Sequence, residues 1–224
     1  MTDTHETQTI ELEQWREEYR QAHIGPGYRG LLHLAFTTSL SLLIIGLCIH
    51  HLAPMHGWEW GTVPLTLVYA NFAEWAGHKF VMHRPVRGLN LVYRRHALQH
   101  HRFFSQNHME IGSTRDFKAV LFPPVLVSFF LVAFFLPIAL MLDWAVGRNV
   151  ALLFTASGLG YFLNYELLHL SYHLRANHWV HRIPGFSALA RLHTTHHDPR
   201  EMAHHNFNIT YPLMDYVMRT WKRR

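Results

Sequence analysis

The chain contains two long stretches that hold no lysine, arginine, aspartate or glutamate. They cover residues 31–53 and residues 119–142. A helix needs about 20 consecutive apolar residues to cross the ~30 Å hydrocarbon core of a bilayer, so both stretches predict transmembrane helices. A cleaved signal peptide is not indicated, because the first 30 residues are polar and the apolar stretch that follows them is too long for one.

Two further apolar stretches carry polar side chains in their interior. Residues 63–82 include Asn71 and Glu74, and residues 149–170 include Glu166. Polar groups inside a membrane span are costly and usually face the interior of the helix bundle or a cavity. These stretches therefore predict two more transmembrane helices, and they are the two that bear on function.

The pattern as a whole predicts an all-α integral membrane protein with four transmembrane helices. Residues 1–30 are polar and are expected to form a cytosolic N-terminal segment with a short helix. Residues 31–224 are expected to form a single domain, because no linker rich in glycine, serine or proline divides them. The parts outside the spans, residues 83–118 and 171–224, predict a cytosolic helical cap.

The basic residues indicate how the spans are oriented. The chain has 20 lysine and arginine residues and a net charge of +5; eight of the 20 lie in residues 79–118, eight follow residue 170, and residues 54–61 have none. By the positive-inside rule, both termini and the central loop are predicted to be cytoplasmic. The basic residues flank apolar segments and form no stripe with stacking aromatic side chains, so no nucleic-acid partner is expected.

Histidine is unusually frequent and is clustered. It accounts for 21 of the 224 residues, and none lies between His108 and His169. Ten histidines fall into four tight groups: His78 with His83; His96 with His100 and His101; His169 with His173; and His193 with His196 and His197. The groups lie within apolar-flanked segments, which argues against an expression tag or a disordered metal-buffering tail.

The spacing within the groups predicts a site for two metal ions. Helical residues three or four apart lie on one face with Cβ atoms ~5–6 Å apart, so imidazoles at that spacing can converge on one ion. His78 and His83 are five apart, which fits a helix end. Adjacent histidines such as His100 and His101 cannot point the same way, so each member of such a pair is expected to serve a different metal.

Other polar residues near these groups are candidates for supporting roles. Glu74 precedes His78 by one turn and Glu166 precedes His169 by three residues, so both are candidate hydrogen-bond partners of metal-bound histidines, with helix packing as the alternative. Three further histidines can be additional ligands, contact a bound ligand or face water: His108, His204 and His205.

The chemistry of the predicted ligands narrows the choice of metal. An all-imidazole set suits iron, zinc or copper better than magnesium or calcium. A site that faces lipid favours oxidation of an unactivated C–H bond over hydrolysis by zinc, with the metal supplying the reactivity. The single Cys48 excludes an internal disulfide and a zinc site made of thiols.

The histidine groups resemble the histidine boxes of the fatty acid hydroxylase/sterol desaturase superfamily, whose members are integral membrane di-metal oxygenases. The resemblance covers about residues 65–221. Residues 160–169 are similar to the family's run before its third box, and residues 206–217 are similar to its closing segment, most of all in the fatty acid 2-hydroxylase branch. One departure is that three residues separate His96 from the histidine pair, where two are usual.

The resemblance implies a four-helix membrane anchor and a cytosolic domain that holds two metal ions. Iron is expected in the working enzyme, and zinc can occupy the site in a purified protein. The implied reaction is hydroxylation of an unactivated C–H bond of a fatty acyl chain or acyl lipid by dioxygen. Because no cytochrome b5 domain is fused to the sequence, a separate electron donor is expected, either a cytochrome b5-like protein or a ferredoxin with its reductase. Small size favours a bacterial inner membrane, with the endoplasmic reticulum as the alternative.

Three other functions stay open on the sequence. Sterol or carotenoid hydroxylases and desaturases of the same superfamily use similar boxes, and histidine spacing does not separate them. A membrane metal-binding or transport protein without redox chemistry is a hypothesis of a different class, although transporters usually show internal repeats that this sequence lacks. A lipid-binding family member without catalysis is disfavoured, because all ten histidines are present.

Overall fold

The computed structural model describes residues 2–223, and the side chains of residues 2–6 and 8 lie outside this description. The described part is all-α, as the sequence predicts, with no β-strand among its elements. Its α-helices are α1 (Thr2–His23), α2 (Gly30–His50), α3 (Thr62–Gly77), α4 (Asn90–Tyr93), α5 (His101–Phe103), α6 (Phe117–Val120), α7 (Pro124–Phe130), α8 (Leu136–Ala145), α9 (Arg148–Tyr172), α10 (Phe186–His196) and α11 (Leu213–Val217).

Short helical segments of other types interrupt this series. The π-helical turns are His78–Met82, Arg94–His100 and Leu131–Phe135, and the 3₁₀ turns are Gly57–Gly61, Thr114–Asp116 and Trp179–Arg182. Single π turns inside α-helices often mark functional sites. The first two π turns carry histidines of the predicted metal site.

Two helical stretches, Gly30–His50 and Thr114–Ala145, are long and apolar enough to cross a membrane. Only 22% and 6% of their most apolar windows are buried within the protein, so most of their apolar surface is free to contact lipid. The predicted spans at residues 63–82 and 149–170 are also helical, but within residues 2–223 they do not meet the same test of length and apolarity. Crossing by all four helices therefore stays a prediction.

The third predicted span, residues 119–142, is not one continuous helix. α6 ends at Val120, Leu121 adopts an extended backbone, and α7 begins only at Pro124. Pro123 and Pro124 explain the break, because proline lacks an N–H to donate and pushes the residue before it out of the helical region. The π turn at Leu131–Phe135 then leads directly into α8, whose second residue is Pro137.

α9 is the central helix of the bundle and packs against α2, α3 and α8. Its approach to the Leu131–Phe135 turn is close enough to require a glycine. A Cβ atom placed on Gly158 would lie 2.5 Å from the Cε1 atom of Phe135. The same helix carries Glu166 and His169 near its C-terminal end, so its packing sets the position of part of the site.

The N-terminal segment is one long helix and not the short one predicted. α1 runs along the cap and packs against α5, and its Tyr19 joins a buried apolar cluster with Phe103, Phe104 and Phe117. Most of its exposed residues from Thr7 onward are charged or polar, and Ile10 and Ala22 are exposed as well. α1 is therefore part of the cap, although the sequence pattern assigns it to a separate N-terminal segment.

Candidate metal centre

The ten predicted histidines lie together as two groups of five, with the ligand atoms of each group within 4.8 Å of one another. Nine of the ten are buried, and His83 is half-buried. Group 1 consists of His78, His83, His96, His101 and His196. Group 2 consists of His100, His169, His173, His193 and His197. Either group can hold a metal ion.

Adjacent histidines are divided between the groups, as the sequence predicts. His100 and His196 belong to different groups from their neighbours His101 and His197. Successive side chains on a helix point in directions about 100° apart, because an α-helix has about 3.6 residues per turn. The i,i+4 pair His193 and His197 stays together, with 3.1 Å between the Nε2 atoms.

The π turns bring together histidines that are five residues apart. The His83 N–H donates to the His78 carbonyl over 3.1 Å, and the His101 N–H donates to the His96 carbonyl in the same i to i+5 pattern. The Nε2 atoms are consequently close, at 3.2 Å for the first pair and 3.1 Å for the second. A regular α-helix would turn residues five apart onto different faces. The local π geometry is therefore what assembles group 1.

The spacing of the nitrogen atoms fits metal coordination. At a metal–nitrogen distance of ~2.1 Å, two ligands at right angles are about 3.0 Å apart and two tetrahedral ligands are about 3.4 Å apart. Close Nε2 pairs are separated by 2.8 to 3.2 Å in group 1 and by 3.1 to 3.2 Å in group 2. These separations favour right-angled arrangements with five or more ligands over tetrahedral sites.

Backbone carbonyls fix which nitrogen faces the centre of each group. The Nδ1 atoms of five ligands contact main-chain oxygens, so the proton lies on Nδ1 and Nε2 is free to bind metal. The pairs are His78 with Phe207, His100 with Ala119, His173 with Met109, His196 with His205, and His197 with Phe104. The Nδ1 atoms of His101 and His193 are buried without a hydrogen-bond partner among the described residues.

Burial keeps the cap histidines neutral, which is the form that binds metal. Loss of hydration lowers the pKa of His100 and of His196 to about 4. The same loss, followed by repulsion from neighbouring imidazoles, lowers the pKa of His193 and His197 well below the ordinary value. At neutral pH these rings therefore carry a lone pair and no charge.

The two predicted glutamates have partners other than the histidines, which corrects the roles expected for them. Glu74 is half-buried and accepts hydrogen bonds from the backbone of Ile209 and Thr210 and from the hydroxyl of Tyr161. Glu166 is buried and accepts from the backbone N–H of Phe122, at 3.2 and 3.4 Å. The oxygens that contact five of the histidine rings come from main-chain carbonyls and not from these carboxylates.

The three additional histidines lie outside both groups. His108 and His205 contribute main-chain carbonyls, which accept from Arg16 and from the ring of His196. The His205 ring lies 2.7 Å from a carboxylate oxygen of Glu201. His204 is exposed. None of the three rings belongs to a group of potential ligands within residues 2–223.

An apolar cavity of about 420 Å³ lies between α3, α9 and the segment from α7 to α8. Its walls are mainly aliphatic and aromatic, and His78 of group 1 forms part of them. A second cavity of about 40 Å³ borders His96, His100 and His169, so it reaches both groups. The two cavities share wall residues: Val92, Phe122, Leu126 and Tyr165.

Sequence reasoning missed the residues that hold the histidines in place. The carbonyl groups of Phe104, Met109 and Phe207 could not be found, because a main-chain oxygen leaves no mark on the sequence. Arg16 could have drawn attention as a charged residue between Trp15 and Tyr19 on a helix. It is 5% exposed.

No family model matches the sequence, and no curated protein matches it. Among solved structures, the fold is similar to one described as full-length scs7p with only the hydroxylase domain visible. The match has a TM-score of 0.60 at 16% sequence identity and covers 87% of this chain and 67% of that chain. At this level of identity the likeness shows a shared fold.

Proposed function

We propose that the chain is a membrane-bound di-iron oxygenase of the fatty acid hydroxylase/sterol desaturase superfamily, closest to the fatty acid 2-hydroxylase branch, and that it hydroxylates a fatty acyl chain or acyl lipid. The observation that carries this proposal is that the apolar main cavity meets group 1 at His78 and shares wall residues with a smaller cavity that borders histidines of both groups. The shared fold with a hydroxylase domain supports it.

The protein's part in the reaction is to place a C–H bond beside the metal centre and to exclude water. The overall change converts a C–H bond, dioxygen, two electrons and two protons into an alcohol and water. Two iron ions held by the ten histidines would supply the oxidising power, as cofactors generally supply the difficult chemistry. Zinc has no redox chemistry, so a zinc-loaded sample would be inactive.

The main cavity is suited to a flexible hydrocarbon. Its volume of about 420 Å³ lies within the ~300–1,000 Å³ range typical of ligand pockets. Val127, Phe130 and Phe154 supply apolar surface, and Tyr165 lies in the wall common to both cavities. A chain that enters through the larger cavity would therefore present its end, or a carbon near it, to the space that borders His96 and His100.

The cap would face the cytoplasm, where a reduced protein can reach it. His83 is the half-buried member of the groups, and the exposed Arg84 and Arg87 follow it. Electrons would come from a separate carrier, a cytochrome b5-like protein or a ferredoxin with its reductase. Basic residues near the exposed edge of the centre would attract an acidic carrier. We propose a bacterial inner membrane as its location, with the endoplasmic reticulum as the alternative.

Untargeted lipid mass spectrometry of cells with and without the protein tests this proposal. We expect a lipid that gains one oxygen with the intact protein and is absent with His173→Ala. His204→Ala is the matched control, because His204 is an exposed histidine outside both groups and its loss should leave the product unchanged.

The mass of the product also separates the alternatives. Loss of two hydrogens from a lipid would indicate a desaturase. An oxidised sterol or carotenoid would indicate an oxygenase whose substrate is not an acyl chain. The lipidome could stay unchanged even though the purified protein holds iron, and the assay is then repeated with electron carriers supplied. If no product forms there either, the result contradicts oxygenase function and favours a metal-binding or transport protein.

A further inference from the structure

The two histidine groups are held by different segments of the backbone. In group 2, the Nδ1 atoms of His197, His173 and His100 bond to carbonyls that all lie within residues 103–119. The backbone N–H of Ile111 also donates to the carbonyl of His173 over 2.9 Å. We call residues 103–119 the group 2 support.

Group 1 relies on a second segment, near the end of the chain. The Nδ1 atoms of His78 and His196 bond to the carbonyls of Phe207 and His205. The described Nδ1 bonds of group 1 therefore all go to this second segment, and those of group 2 all go to the first. We call residues 205–210 the group 1 support.

Arg16 of α1 fastens the group 2 support. Its Nε donates to the Phe103 carbonyl over 2.8 Å, and an Nη atom donates to the His108 carbonyl over 2.7 Å. The guanidinium carbon lies 5.0 Å from the centre of the Phe103 ring and 5.7 Å from that of Phe104. The rigid, forked guanidinium thus bridges two points of the support that lie on either side of the Phe104 carbonyl.

Phe104 links this contact to the ligands directly. Its carbonyl accepts from His197, and its ring centre lies 4.0 Å from that of the His173 ring. Arg16 is 5% exposed and bonds to the backbone on both sides of Phe104. A shift of the segment would therefore move a hydrogen-bond acceptor and a packing surface of two group 2 ligands together.

Arg16 forms no hydrogen bond with any of the ten histidine rings within residues 2–223, and its hydrogen bonds reach them through the support; its positive charge also acts on His173, and Arg16→Lys keeps that charge. A neighbouring contact holds the far end of the same segment: Arg20 donates to both carboxylate oxygens of the buried Asp116, at 2.8 and 3.0 Å. Asp116 in turn accepts from the backbone N–H of Gly112 over 2.8 Å. Two arginines one turn apart on α1 therefore hold the group 2 support at both ends.

We propose that α1, through Arg16, is a positioning element for the second metal site, so that loss of Arg16 weakens metal binding by group 2 and spares group 1. The inference rests on the proposed metal centre. It assigns a role to a segment that contains none of the ligands. The effect expected is a ~10–100-fold loss of affinity, the range typical when the hydrogen-bond partners of metal ligands are removed.

Asp215 is the counterpart of Arg16 for group 1. It is fully buried and accepts from the backbone N–H of Phe207 over 3.0 Å and of Asn208 over 2.8 Å. The hydroxyl of Thr220 also donates to it over 2.6 Å. Asp215→Asn would turn an amide N–H toward backbone N–H donors, so it should loosen the Phe207 carbonyl and weaken binding by group 1.

The experiment measures metal retained by the full-length detergent-solubilised protein during a challenge with a graded excess of chelator. Two parent variants isolate the sites. His196→Ala removes a ligand from group 1 and leaves group 2 with all five histidines, and His197→Ala removes a ligand from group 2 and leaves group 1 with all five. Arg16→Ala is added to each parent, and Asp215→Asn is added to each in parallel. Metal per chain is counted by mass spectrometry, and the thermal unfolding midpoint of each protein is recorded.

We expect Arg16→Ala to shift retention to ~10–100-fold lower chelator in the His196→Ala parent and to leave the His197→Ala parent unchanged. Asp215→Asn should give the opposite pattern. Arg16→Lys keeps the charge without the fork and should recover part of the loss. Arg102→Ala is the control, because Arg102 also contacts α1, over the Trp15 ring, but its side chain binds neither carbonyl.

Equal shifts in both parents, or none in either, would overturn the positioning role, because a general loss of stability affects both groups alike. If His196→Ala and His197→Ala each retain as much metal as the unsubstituted protein, the result would instead contradict the proposed metal centre itself.

Discussion

Gly158 and Gly160 on α9 offer a paired test of the wall between the central helix and the main cavity. A Cβ atom on Gly158 would lie 2.5 Å from the Phe135 Cε1 and 3.1 Å from its Cζ, whereas one on Gly160 would meet nothing within 4 Å. Carbon atoms pack best at about 3.5–4.0 Å, so the Phe135 ring must withdraw by about 1 Å to accept Gly158→Ala. Gly160→Ala requires no such movement.

The two substitutions should therefore differ in sign. Alanine is favoured over glycine inside a helix by about 1 kcal/mol, and this gain applies to both. Overpacking costs about 1–3 kcal/mol and applies only to Gly158→Ala. We expect Gly160→Ala to stabilise the protein and Gly158→Ala to be neutral or destabilising, with a gap of about 1–3 kcal/mol between them.

The assay is thermal unfolding in detergent. For a domain of this size 1 kcal/mol corresponds to about 2–4 °C, so the midpoints should differ by several degrees. Phe135→Leu added to Gly158→Ala makes room for the methyl group and should recover most of the gap. Equal stabilisation by both alanines would refute the close approach of α9 to the Leu131–Phe135 turn and, with it, the shape of the cavity.

The remaining predictions concern the metal centre, the cavity and the topology. Because burial lowers the folded-state pKa of His100 and His196 to about 4, protons compete with metal for these ligands only near that pH, so bound metal should be retained from neutral pH through pH 6.5, the ordinary histidine pKa, and lost as pH falls through about 4; loss of metal already near pH 6.5, measured by metal content, would argue against buried histidine ligands. Ala73→Leu should fill part of the cavity and move the favoured product toward shorter acyl chains in lipid mass spectrometry, whereas Gly46→Ala, on α2 and away from the cavity wall, should leave the product distribution unchanged. Protease added to inside-out vesicles should cut near the exposed Arg87, which precedes α4, and cutting there only from the opposite face would reverse the predicted topology.

Helical spacing accounts for the part of the site that the sequence predicts. The division of His100 and His101 between two groups follows from the angle between successive residues on a helix, and the convergence of His193 and His197 follows from the i,i+4 spacing. Both are local properties, which a single sequence contains. The ten histidines are brought together as the pattern indicates.

Helical spacing does not predict the π turns. Histidines five apart would diverge on a regular α-helix, and only the extra residue in each π turn brings His78 to His83 and His96 to His101. The extra residue between His96 and the histidine pair, relative to the usual box, is accommodated in the second of these turns. Nothing in the side chains of Arg94–His100 signals this geometry.

The supports of the histidines are equally hidden, because they depend on tertiary contacts. Glu74 precedes His78 by one turn, which suggests a direct contact, yet its carboxylate binds the backbone of Ile209 and Thr210. It therefore stabilises the segment whose Phe207 carbonyl holds His78. Contacts across more than a hundred residues of sequence cannot be read from local pattern.

The most direct test of the oxygenase assignment is the origin of the added oxygen atom. Membranes that contain the iron-loaded protein and an electron-donating system would be incubated under isotopically labelled dioxygen, and lipids would be analysed by mass spectrometry. We predict a hydroxylated acyl lipid that carries one labelled oxygen atom, formed by the intact protein and by His204→Ala but not by His173→Ala. A product labelled only from water, or no product from protein with both sites filled by iron, would contradict the account.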